Sequence, residues 1–184
     1  MLPKRIKNKT YKFKTQSEFI TFTPLTEIFS QDEIEQVIIP ANFEPHQCHK
    51  NAAIAAGIFK CEYCEGIIYG ILDHAFNRIE RNGKVYYFDV TEFANNKYDS
   101  NKIETTDILL LRVYNLDNIL EVLSDFGMYF ITTGRMTNMP FTEKYGCFII
   151  DDDGKARNVV DYSDTSKLIF QRNNLYNTLK NEKD

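Results

Sequence analysis

At Asn82-Gly83 the chain has few conformational choices. Both residue types tolerate a left-handed backbone, and the pair lies between two strand-like runs, His74 to Ile79 and Val85 to Val90. That is the strongest short-range signal for a β-hairpin closed by a two-residue turn. In this register Arg81 faces Lys84, and continuing the pairs sets Phe76 opposite Asp89 and His74 opposite Thr91. Side chains alternate along a strand, so His74, Phe76, Asp89 and Thr91 share one face. His74 and Asp89 become diagonal neighbours, about 5–8 Å apart at the backbone and within reach of an imidazole–carboxylate bond. A slip of one residue sends Asp89 to the opposite face, unless a bulge restores it.

The rest of the chain arranges itself around this hairpin. Residues 1–14 form a basic arm, either frayed or paired as an edge strand, and Phe19 to Phe22 reads as a short strand. Gln31 to Val37 reads as helical turns, with Ser30 as N-cap and Glu33 three residues on. The Ala-rich stretch 47–56 predicts a short helix ended by Gly57 as a left-handed cap. Ile58 to Leu72 has strand character, interrupted at Gly66 and Gly70, and Ile108 to Tyr114 predicts a further strand. Leu116, Ile119, Leu120 and Leu123 mark one face of a helix closed by Gly127. Tyr129 to Thr132, Gly146 to Ile150 and Arg157 to Val160 complete the sheet, the last two joined through the turn Asp151-Asp152-Asp153-Gly154. A helical tail follows from Ser163, with Leu168, Ile169, Leu175 and Leu179 as its buried residues. One early helix, a run of antiparallel strands and peripheral helices make an α+β plan in a single domain over residues 1–184.

Composition removes several function classes. The 22 basic and 26 acidic residues give a net charge of −4, which argues against a nucleic-acid binder relying on bulk charge. The longest apolar runs, such as Ile108 to Leu111, are too short to span a bilayer. No apolar segment follows the basic start as a signal peptide requires. Four cysteines without an export signal read as free thiols, and the expected location is cytoplasmic. The acidic turn lacks the twelve-residue loop and distal Glu of a calcium site, and reads as a solvated hairpin.

All three histidines (His46, His49, His74) and three of the four cysteines (Cys48, Cys61, Cys64) fall between residues 46 and 74. A nucleophilic reading puts Cys48 at the start of the Ala-rich helix, where unpaired amides and the positive dipole end favour a thiolate. Such a nucleophile needs a base within hydrogen-bond reach and a third group to orient that base, roles that fit His74 and Asp89. Gln47 could add a donor to an oxyanion beside the Cys48 amide, and Asn51, one turn on, could orient the site. The metallic reading uses His46, Cys48, His49, Cys61, Cys64 and His74, with zinc held by Cys48, Cys61, Cys64 and His74 as its sharpest form. Its weakness is Cys61-Glu62-Tyr63-Cys64, which sits in strand-like sequence: residues three apart on a strand point to opposite faces. No second matched pair accompanies it, since Cys147 stands alone, so no cofactor or metal is expected. Taken singly, each of these residues has an ordinary structural explanation, as a small buried thiol, a satisfied strand histidine or a strand-end Asp.

The stretch His74-Ala75-Phe76-Asn77-Arg78-Ile79, then Asn82-Gly83-Lys84, then Tyr87-Phe88-Asp89-Val90-Thr91, resembles the His-Ala-Trp, Gly-Lys, Val-Asp-Pro-Thr hairpin of the transglutaminase-like, papain-related superfamily. The fifteen-residue step from His74 to Asp89 is similar to that family's spacing. Gln47-Cys48-His49-Lys50-Asn51-Ala52 resembles its helix-initial cysteine, and Glu65-Gly66 its Gly-bearing strand. The likeness covers about residues 46–92, with Phe76 and Val90 in place of the common Trp and Pro and a shorter helix after the cysteine. It implies a Cys48-His74-Asp89 triad, a papain/transglutaminase-like core and a thiol hydrolase, protease, amidase, deamidase or acyltransferase acting on a protein or peptide substrate. The alternatives are a non-catalytic protein-binding module on the same fold, or a small zinc-stabilised adaptor.

Overall fold

The computed structural model describes residues 2–68, 72–99, 107–126, 148–158 and 162–183. In chain order the elements are α1 (Lys4–Lys7), β1 (Lys14–Ile20), α2 (Leu25–Ile28), α3 (Gln31–Glu33) running into a π-helical turn at Ile34–Ile38, and α4 (Cys48–Phe59). Then come β2 (Glu62–Ile68), β3 (Leu72–Arg81), β4 (Lys84–Phe88), α5 (Val90–Asn95), β5 (Ile108–Tyr114) and α6 (Leu116–Phe126). The small strands β6 (Phe148–Ile150) and β7 (Ala156–Asn158) precede the long helix α7 (Tyr162–Lys183). The architecture is α+β, built on a five-stranded antiparallel sheet in the order β1-β5-β2-β3-β4.

The hairpin forms as its turn dictates. Asn82 and Gly83 both take positive φ, at 53° and 73°, and β3 pairs with β4 from Arg81↔Lys84 to Asn77↔Phe88 in the expected register. Pairing stops there. Val90 and Thr91, whose β-branching suggests strand, instead open α5, because Asp89 accepts the Thr91 amide at 2.7 Å and caps the helix. Asp89-Val90-Thr91-Glu92 does carry a start signal, an Asp cap with an acidic residue three on. Thr91 is therefore not opposite His74 on a strand.

Helix α4 runs three residues past the expected stop. Gly57 lies within it and Lys60 takes the left-handed cap, at φ 53°. Phe59 draws the extension inward, its ring 4.6 Å from Phe29 and 6.2 Å from Phe88. Ala52, Ala53, Ala55 and Ala56 are all buried, and these small side chains pack with Tyr63, Ala75, Ile79 and Phe88 in one core. A second core holds Ile20, Phe22, Cys64, Ile68, Phe76, Ile108, Leu110 and Val113. Every residue of β5 is buried, which suits a strand with neighbours on both edges.

Four further expectations change. The N-terminal arm is docked: Leu2, Ile6 and Tyr11 are buried, and Thr10 bridges to Lys155. Strands β6 and β7 form their own two-stranded sheet instead of extending the main one. Leu120 on α6 points outward at 48% exposure, while Ile119, Val122 and Phe126 are buried. On α7 Leu175 is 38% exposed, Leu179 is half-buried, and Tyr176 is buried, set edge-on to Phe19; the side chains of Leu168 and Ile169 lie outside the described residues. The Ser30–Glu33 capping box forms in full. Gly70, Gly127, the Tyr129–Thr132 strand and Cys147 lie outside the described residues. No described helix is long and apolar enough to cross a membrane.

Candidate active site

Cys48 is the first residue of α4, so its amide has no acceptor inside the helix. The loop before it is tightly held. Asn51, fully buried, accepts the Glu44 amide at 3.1 Å and donates to the Glu44 carbonyl at 2.7 Å. The same amide donates to the Thr91 hydroxyl at 3.0 Å. The His46 amide, on a residue with φ 61°, donates to the Asn95 side chain at 3.0 Å. Both bonds fasten the loop to α5.

Where β4 stops, the start of β3 and the Asp89 cap come together. His74 Nε2 lies 2.5 Å from Asp89 Oδ2, and the other oxygen, Oδ1, holds the Thr91 amide. The Cys48 thiol also lies near the ring, and with Nε2 engaged by Asp89, Nδ1 is the nitrogen left for the sulfur. Because an ionised carboxylate can only accept, Asp89 takes the Nε2–H of the ring, which leaves Nδ1 as the nitrogen that binds or releases a proton. Burial alone pushes the imidazole down, but the Asp89 carboxylate and then the Cys48 sulfur outweigh it and raise His74 to about 10. Phe22 and Phe76 flank the ring at 6.3 and 6.4 Å between centroids, forming an apolar wall.

A line of contacts runs from His74 to Asp89, from Asp89 to Thr91 and from Thr91 to Asn51, which lies one turn along α4 from Cys48. The geometry brings His74 and Asp89 into direct contact, with the Cys48 thiol near the ring. Asn51 touches the loop and α5 rather than the imidazole, so it positions the frame. Gln47 is the N-cap residue of α4, half-buried, and its side chain makes no capping bond. Thr91 and Phe22 were not legible as site residues; only contact across the fold reveals them.

The remaining thiols behave differently. Cys61 donates to the Ala55 carbonyl at 3.8 Å, and burial pushes its thiol up to about 12. Cys64 is fully buried and is also pushed up by desolvation. The two sit in different cores, Cys61 beneath α4 and Cys64 beside Phe76, so they do not converge. The zinc set of Cys48, Cys61, Cys64 and His74 therefore does not assemble. Among the described residues no group of three or more His, Cys, Asp or Glu is placed to hold a metal ion. His46 is exposed beside the loop, and His49 faces Tyr63. No protein-family model, curated protein or solved structure matches this chain.

Proposed function

We propose that the protein is a cysteine-dependent hydrolase or acyl-transfer enzyme with a transglutaminase-like, papain-related core. Its substrate is a peptide or carboxamide bond of a protein or peptide. The observation that carries this reading is one buried imidazole 2.5 Å from the Asp89 carboxylate, near the thiol that begins α4.

In this reaction the Cys48 sulfur, its proton already held on His74 Nδ1, attacks the carbonyl carbon. The C=O electron pair moves onto oxygen, where the Cys48 amide and the Gln47 side chain donate to it. The tetrahedral species collapses as His74 returns the proton to the departing nitrogen, leaving a thioester and free amine or ammonia. Water or an amine then attacks the thioester, His74 takes its proton, and the thiol is released. Asp89 fixes the ring tautomer and balances the imidazolium. A water nucleophile gives hydrolysis or deamidation, and an amine gives acyl transfer.

The test is labelling by an acyl-electrophile probe. Cys48→Ala, His74→Ala and Asp89→Ala should each abolish it while the circular dichroism of the folded protein persists. Full labelling of Cys48→Ala would overturn the assignment. A wild-type thiol alkylated by iodoacetamide no faster than an unperturbed one at neutral pH would leave a binding module instead.

A further inference from the structure

Beside the triad, and unused by it, a second polar chain runs through the core. His49, the residue after Cys48, sets its Nδ1 2.8 Å from the Tyr63 hydroxyl, and that hydroxyl donates to Glu65 Oε1 at 3.2 Å. Tyr63 and Glu65 are fully buried, and Arg112, at 3% exposure, is the register partner of Glu65 on β5. Arg112 in turn donates to the Ile150 carbonyl at 2.7 Å and to Asp152 at 2.6 Å, and its guanidinium lies 4.5 Å above the Phe13 ring.

A buried carboxylate and guanidinium are expensive to desolvate, and well-packed apolar residues often do as well or better for stability. What the arrangement supplies is direction. Tyr63 has one hydroxyl hydrogen, and it goes to Glu65. Its oxygen can then only accept from His49, which fixes His49 as the Nδ1–H form, whereas free neutral histidine prefers Nε2–H. The imidazole is thereby pinned to the sheet, and with it the first turn of α4. A backbone turn pinned at residue 49 fixes the rotation of residue 48.

We infer that His49 is a positioning residue for Cys48, anchored through Tyr63 to the buried Glu65 so that the sulfur faces His74. This rests on the triad reading, yet its central contact can be tested without it. In wild-type protein labelled with nitrogen-15, the ring resonances of His49 should show the Nδ1–H tautomer, and Tyr63→Phe should abolish that preference. The iodoacetamide rate at Cys48 should fall about 10-fold or more in Tyr63→Phe and His49→Leu, the scale on which hydrogen-bond partners behind metal-ligating histidines act. His49→Asn, whose amide nitrogen stands where Nδ1 does, should recover most of the rate and the wild-type pH profile. Wild-type rates in folded Tyr63→Phe and His49→Leu, or an Nε2–H ring in the wild type, would overturn the inference. If the wild-type thiol is slow, the triad reading fails by itself, and the tautomer still decides the contact: Nδ1–H supports it and Nε2–H overturns it.

Discussion

Asp89 divides its carboxylate between two tasks, one oxygen to His74 and one to the Thr91 amide. The tasks can be separated by substitution. Asp89→Asn retains an N-capping side chain but loses the charge and the tautomer selection, so turnover or probe labelling should drop about 10⁴-fold while the cap of α5 is kept. Asp89→Ala also loses the cap, which should cost about 1 kcal/mol in a urea titration. Equal labelling by wild type and Asp89→Asn would show that the carboxylate does not act on the imidazole. The thiols offer a second check. In folded protein, alkylation followed by peptide mapping should find Cys48 modified while Cys61 and Cys64, buried and raised, stay intact. The third concerns pH. The fold raises His74 above its usual value near 6.5, so it favours the protonated ring. That stabilisation is fully present below about pH 6.5 and is lost as pH rises toward about 10. Thermal melts of the wild type should lose stability across that window more steeply than those of His74→Gln, and parallel curves would rule out the raised imidazole.

Between β4 and α5 the limits of sequence patterning become visible. The β3–β4 register was legible because a two-residue Asn-Gly turn leaves one alignment, and alternation then carries His74 and Asp89 to one side. The α5 start was misread because Val90 and Thr91 favour strand by propensity, and a single capping bond from Asp89 outweighs that preference. The α4 stop failed for a related reason. Gly57 permits a helix end without demanding one, and burial of Phe59 against Phe29 and Phe88 rewards another turn. Asn51 is where these elements meet. Replacing it by alanine would strip the Glu44 backbone and the Thr91 hydroxyl of a shared partner, a loss of about 1–3 kcal/mol. Urea denaturation with and without the substitution measures it, and Cys48 alkylation should slow in parallel. An unchanged unfolding free energy would mean that the loop is held by its other contacts alone.

Across the whole molecule, the two faces of the central sheet carry separate cores, and the candidate site sits where a short edge strand ends beside one of them. Long-range placement was the least legible part. Nothing local tells residues 1–14 to dock against the β6–β7 hairpin, or tells that hairpin to stand apart from the main sheet. Gly66 shows how tightly the centre is drawn. A Cβ there would come 2.3 Å from the Leu109 carbonyl oxygen and 3.2 Å from the Phe76 ring. Gly66→Ala should therefore force β5 aside and destabilise the protein by about 1–3 kcal/mol, read from its denaturation midpoint. The strand order also sets a timetable for assembly. The His74–Asp89 hairpin closes through neighbours in sequence, whereas Lys14 meets Val113 only after most of the chain has been made. On a ribosome the seat of the imidazole can thus take shape early, and the first strand to emerge is among the last to find its place.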